Sequence, residues 1–244
     1  MFRHKGNTRT FAHNLKLASS LSFVAGIVNI TGVFAFATLT TNVTGHFAFF
    51  ADELVKKDGA EAFVFINFIL CFLLGAFVSS FLSEVSIKKS PKTSHILPLI
   101  LETIVLIIVS FSEDLFKNSI NTFHFASYAL LFAMGLQNAL VTKVSQSVVR
   151  TTHLTGLFTD LGIELSQLFF YRKEEEKSRL SKSIYLKLSI IAFFFLGCVI
   201  GGFVFQIIKL KTLLIASSIL ALTMYMDYFT VHFFSIKRRI RQKH

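Results

Sequence analysis

The stretch FINFILCFLLGAFVSSFL, residues 65 to 82, decides the fold. It carries no charged residue, and its apolar side chains run on continuously instead of alternating with polar ones as in a barrel strand. A helix needs about 20 such residues to cross roughly 30 Å of hydrocarbon. Only a helix pairs all its backbone amides within one such segment. Working outward from this stretch, comparable windows fall at 17 to 40, 62 to 83, 95 to 112, 124 to 142, 184 to 208 and 212 to 234. The expected fold is therefore all-α: a polytopic membrane helix bundle of six transmembrane helices, forming one integral membrane domain. The first window is too long for a secretory signal and is interrupted by Asn29 and Thr31, so it reads as a retained span.

Composition agrees. Of 244 residues, 53% are hydrophobic and 16% charged, with thirty Phe and two Pro. The mean hydropathy is +0.62. A soluble domain of this size cannot bury so much aromatic surface, and disorder, collagen and disulfide scaffolds are equally excluded. The net charge of +11 raises the question of nucleic acid, which the placement of the charges answers. Nineteen Lys and Arg fall before the first window, in the second and fourth loops and in the tail IKRRIRQK, against five (Lys56, Lys57, Lys117, Lys209 and Lys211) on the other side. This bias is the positive-inside pattern, with both termini cytoplasmic, and not a nucleic-acid footprint. Tyr171 and Tyr185 flank the fifth window as interfacial anchors. Cys71 and Cys198 lie within apolar runs and read as small core residues.

The chain also repeats itself. AGIVNI (25 to 30) aligns with MGLQNA (134 to 139), TNVTGHFAFFADEL (41 to 54) with THLTGLFTDLGIEL (152 to 165), and FLLGAFVSSF (72 to 81) with FFLGCVIGGF (194 to 203). The three matches occur in the same order, at offsets of 109, 111 and 122. Half one covers about 15 to 112, half two about 124 to 234, and 235 to 244 is a basic cytoplasmic tail. Three spans per half make the second copy enter the membrane from the opposite side, so the six helices form two inverted three-helix repeats.

These motifs, a Gly-and-Asn first helix with T-N-V-T-G-H, then G-L-Q-N-A and R-T-T-H-L-T-G-L-F-T-D-L-G, resemble the YoaK family (domain of unknown function 1275) over residues 15 to 230. The resemblance implies a multi-pass protein of the bacterial cytoplasmic (inner) membrane. Many members resemble T-G-N in the first motif and have an acidic residue at the position of Asn29, where this chain has His46 and Asn29.

Each Thr-Gly motif is expected to open a short helix, with apolar stripes Val43, Phe47, Phe50, Leu54 and Leu154, Phe158, Leu161, Leu165, Leu168. Threonine can cap the free amides of a helix start, glycine lets another backbone come close, and the start carries partial positive charge. Thr44, Gly45, Thr155 and Gly156 are thus candidates to frame a polar or anionic solute; the alternative is two capped helices lying on opposite membrane faces. Asn29, Gln137 and Asn138 sit in apolar spans and need partners, either solute or neighbouring helices. Glu102, near the middle of the third window, is a further substrate-binding or proton-carrying candidate, with Asp227 weaker. Arg150, His153, Asp160 and Glu164 surround the second motif; Arg150 and Asp160 suit a gate or anion contact, or simply a solvated helix face. RKEEEKSRLSK (172 to 182) reads as a mobile linker.

No metal, nucleotide or hydrolase motif occurs, and no cofactor is expected. The expected partners are the lipid bilayer and a small polar or anionic solute, with no nucleic acid; a homo-oligomer is compatible with the sequence. The expected function is a small-solute transporter or channel with no enzymatic activity. A membrane-embedded enzyme and a non-transporting accessory protein are the alternatives.

Overall fold

The structure is a computed structural model that describes residues 10–89, 95–112, 120–171 and 173–241. Among these, the regular elements are α1 (Phe11–Phe36), α2 (Val43–Val55), α3 (Gly59–Lys89), α4 (Ile96–Ser110), α5 (Ile120–Ser145), α6 (Leu154–Gln167), α7 (Glu174–Ile208) and α8 (Leu213–Arg241). A short 3-10 turn at Lys209–Thr212 joins the last two. The basic residues Arg3, Lys5, Arg9, Lys92, Lys117, Arg172 and Lys243 lie outside the described residues.

α1 and α5 are the inner helices. Leu17, Leu21 and Val28 of α1 and Leu130, Met134 and Leu140 of α5 are buried, and Leu99 and Leu106 of α4 and Leu213 and Leu220 of α8 join them. The outward faces are just as apolar: Phe63, Leu73, Phe77 and Phe81 of α3 and Phe195, Phe203 and Ile207 of α7 are all exposed. Water would drive such a surface to aggregate, whereas acyl chains solvate it. Among the described residues four stretches are long and apolar enough to cross a membrane: Phe11–Phe36, Gly59–Ile87, Phe123–Ser145 and the continuous Glu174–Asp227, which contains α7 and the first half of α8. α4, at 15 residues, is a shorter apolar helix. The protein is a helical membrane bundle.

Two helix pairs come into backbone contact, and glycine makes both possible. Between α1 and α7, a Cβ on Gly26 would overlap the carbonyl of Phe194, and one on Gly197 would overlap that of Phe23. Between α3 and α5, a Cβ on Gly75 would overlap the Phe132 carbonyl and one on Gly135 the Phe72 carbonyl. In all four cases the carbonyl belongs to the residue three positions before the facing glycine. Without a hydrophobic force between helices in lipid, this close approach supplies dispersion contact that larger residues would prevent.

Three expectations need correction. The first window was placed to residue 40, but α1 ends at Phe36, where Ala37 takes a left-handed conformation (φ 50°) and its amide bonds back to Gly32 and Val33. The charged run 172 to 182 is no linker: from Glu174 it forms the first turns of α7, whose start carries Glu174, Glu175 and Glu176. Carboxylates there offset the positive helix end. The tail after 234 is not a separate segment either, since α8 continues to Arg241.

Candidate functional site

After Phe36 the chain turns back along α1 instead of leaving it. Gly32 allows this, because a Cβ there would lie 2.5 Å from Thr40 Cγ2 and 2.8 Å from the Thr38 carbonyl. The returning segment reaches Asn29, whose Oδ1 accepts from Thr41 Oγ1 at 3.1 Å and from Thr40 Oγ1 at 3.5 Å. Asn29 lies seven residues before the end of α1, so the start of α2 sits about 10 Å below that end, at 1.5 Å per residue.

α5 and α6 are arranged in the same way. α5 ends at Ser145, whose hydroxyl holds both the amide (3.0 Å) and the carbonyl (3.2 Å) of Val149. Gln146 and Ser147, both at positive φ, carry the chain round. Thr152, His153 and Thr155 then come to face Asn138, seven residues before the end of α5. The two returns open onto one cleft of about 800 Å³. It is lined by Asn29 and Asn138, Thr41 and Thr152, Asn42 and His153, Val43 and Leu154, Thr44 and Thr155, and Phe72 and Phe194. Each of these couples is an aligned pair in the sequence repeat.

The helix starts differ from expectation in one respect. Thr44 and Thr155 are the second residues of their helices and are exposed toward the cleft; the capping positions belong to Asn42 and His153. Asn42 Oδ1 accepts from the Gly45 amide at 3.0 Å. His153 makes no such bond, so the positive end of α6 meets the cleft without a side-chain cap. Gly45 and Gly156 serve these residues more directly than they serve a ligand. A Cβ on Gly45 would press on Asn42 Nδ2 at 2.8 Å, and one on Gly156 would collide with the His153 ring.

Among the described residues, no Lys, Arg, Asp or Glu lines the cleft. Its polar groups are amides, hydroxyls and one imidazole, with the Asn138 oxygen buried and unbonded among the described residues. Such a lining can hold a polar solute through hydrogen bonds, and two helix starts bias it toward acceptor or anionic groups.

The remaining candidates lie elsewhere. Gln137 donates from Nε2 to the Leu21 carbonyl at 2.9 Å, tying α5 to α1 away from the cleft. Glu102 is fully buried on α4, outside the cleft lining, and neither carboxylate oxygen has a hydrogen-bond partner among the described residues. Arg150 and Asp160 are exposed and line no part of the cleft. Glu164 turns away to α7, accepting from Lys187 at 2.6 Å and Ser183 at 2.7 Å. Asp227 meets His95 at 2.9 Å in a buried contact between α8 and α4. The apolar stripes rotate as well: in α6 the buried residues are Leu157 and Leu161, while Phe158 and Leu165 are exposed. In α2 the buried residue is His46, with Phe47 and Leu54 exposed.

Sequence reasoning missed the fold-back itself, which rests on Thr40 and Thr41 against Asn29. It also missed Phe72 and Phe194, which the repeat alignment already paired.

The helical bundle, its lipid-facing aromatic surface and its apolar spans define a multi-pass membrane protein. More particularly, residues 17–226 match the family described as "Protein of unknown function (DUF1275)", and the chain belongs to that family. It is similar to the "UPF0700 transmembrane protein YoaK" of Bacillus subtilis (strain 168), with 24% identity over 186 residues, covering 75% of this chain and 80% of that protein. No solved structure matches it.

Proposed function

We propose that the chain is a small-solute transporter or channel of the bacterial inner membrane, with its solute site in the cleft between two inverted three-span halves. α1, α3 and α4 form the first half, α5, α7 and α8 the second, and the charge bias sets both termini in the cytoplasm. The observation that carries this reading is the lining: six aligned residue pairs of the repeat face one cleft. The glycine contacts support it, because exchanging the halves turns the α1–α7 contact into the α5–α3 contact. A site whose two sides are equivalent can face either membrane surface in turn, which suits passage of a solute. Amides and hydroxyls favour binding over bond-breaking, so the function is read as non-enzymatic, with a small polar or anionic solute as ligand.

Uptake into proteoliposomes of labelled acetate, phosphate, glycine and glycerol tests it. At least one solute should enter faster than into protein-free vesicles, and N138L combined with T155V should cut that uptake at least tenfold. A folded chain that moves none of them would count against the transporter reading and for its alternatives, a membrane-embedded enzyme or an accessory protein. With Cys71 and Cys198 replaced by Ala, T44C and T155C should both react with small thiol reagents but not from opposite faces at all times. Permanent labelling from opposite faces would remove the shared site.

A further inference from the structure

Next to the cleft, and sharing Leu39, Asn42 and Gly45 with it, lies a second pocket of about 310 Å³ between α2, α3 and the start of α5. Five phenylalanines line it: Phe36, Phe49, Phe65, Phe68 and Phe123. Their rings fall into two groups, Phe36 with Phe123 at a centroid distance of 5.1 Å, and Phe65 with Phe49 at 5.3 Å and with Phe68 at 5.8 Å. His46 closes it, its ring 5.0 Å from that of Phe68 and its Nε2 2.8 Å from the Leu39 carbonyl. Burial holds this imidazole below its ordinary pKa, so it brings no positive charge at neutral pH.

Among the described residues the one carboxylate of the lining is Glu61, in the first turn of α3, and no Lys or Arg joins it. Among the described residues Glu61 forms no ion pair. Its backbone amide is held by Asp58 Oδ1 at 3.1 Å, which fixes the helix start while the acid group stays exposed. A negative group beside several aromatic rings attracts a cation twice, through its charge and through the ring quadrupoles.

Among the described residues, the surroundings of α6 differ from those of α2. The residue aligned with His46 is Leu157, and α6 packs through Leu161 on the aliphatic Leu180 and Ile184. The aromatic surroundings of α2 are therefore not a by-product of the repeat.

We propose that the pocket formed by Phe36, Phe49, Phe65, Phe68 and Phe123 with Glu61 binds a small organic cation, of the size and chemistry of a quaternary ammonium group. At about 310 Å³ it stands at the small end of ligand sites, which run from about 300 to 1,000 Å³. The inference does not depend on transport and stands or falls by itself.

Calorimetric titration of the full chain in lipid nanodiscs tests it, with tetramethylammonium chloride as probe and 2,2-dimethylpropan-1-ol as the neutral molecule of nearly the same shape. Tetramethylammonium should bind saturably and at least tenfold more tightly than the alcohol. E61Q should weaken the cation at least tenfold and leave the alcohol unchanged, and F65L should narrow the preference severalfold. Melting temperatures of both variants in the same nanodiscs identify any loss of fold; E61D, which keeps the charge, should retain most of the binding. Equal binding of cation and alcohol, indifference to E61Q, or no saturable binding of tetramethylammonium would each overturn the proposal, the first two in favour of a lipid-filled apolar crevice.

Discussion

α2 and α6 descend from aligned segments, start at the same cleft and leave it in different company. α2 starts on the side-chain cap of Asn42, buries His46 among phenylalanines and ends in the exposed cluster of Lys56 with Asp52 and Glu53. α6 starts without a side-chain cap, buries Leu157 and Leu161, and is pinned to α7 by Glu164 and Lys187. What the two share stands at or beside the cleft: a threonine in the second position and an asparagine on the preceding span line it, and a glycine in the third position leaves room for the capping residue. What they do not share is the capping residue, Asn42 or His153, the buried residue one turn on, His46 or Leu157, and the ion pairs of Lys56 and of Glu164.

The largest test of this equivalence is at the helix contacts. G26A, G75A, G135A and G197A each push a methyl group into a facing backbone carbonyl, and each should cost about 3 kcal/mol of stability. In thermal unfolding in detergent the four should lose similar amounts, whereas G162A, whose methyl meets open space in α6, should be neutral or stabilising by about 0.5–1 kcal/mol. A large loss in one half alone would break the comparison.

The helix starts give a smaller and deliberately unequal effect. N42A removes a side-chain cap and should cost about 1 kcal/mol, while H153A removes none and should leave the melting temperature unchanged. Equal losses would mean that the His153 ring packed over Gly156 does the work of a cap.

His46 gives the smallest effect. Its folded-state pKa is lowered by burial, so the folded protein takes up fewer protons than the unfolded chain. Its contribution is therefore complete above the ordinary histidine value of about 6.5 and is lost as pH falls from there toward the lowered folded value. Melting curves from pH 7.5 to 5.5 should drop less steeply in H46L, which copies Leu157, than in the parent chain.

The spans were readable because eighteen uncharged residues admit few structures, and Asn29, Thr44, Asn138 and Thr155 were readable because the repeat singled them out. The depth at which α2 and α6 begin was not. It depends on Thr41 reaching Asn29 across twelve residues and on Gly32 leaving room, contacts that no hydropathy window measures. Gln137 stayed open between solute and neighbouring helix for a related reason: a buried amide announces that it has a partner but not which one, and here its Nε2 donates to the Leu21 carbonyl. The aromatic pocket escaped because its phenylalanines come from four separate helices, each of which reads alone as ordinary membrane composition.

The glycine contacts join α1 to α7 and α3 to α5, so each tightly seated pair takes one helix from either half of the sequence. Backbones in such contact cannot slide past each other without the residues three positions away colliding. The rigid bodies of this protein are therefore these mixed pairs and not the two sequence halves. Any opening has to run along the seam between them, where Asn29 of one pair looks across at Asn138 of the other.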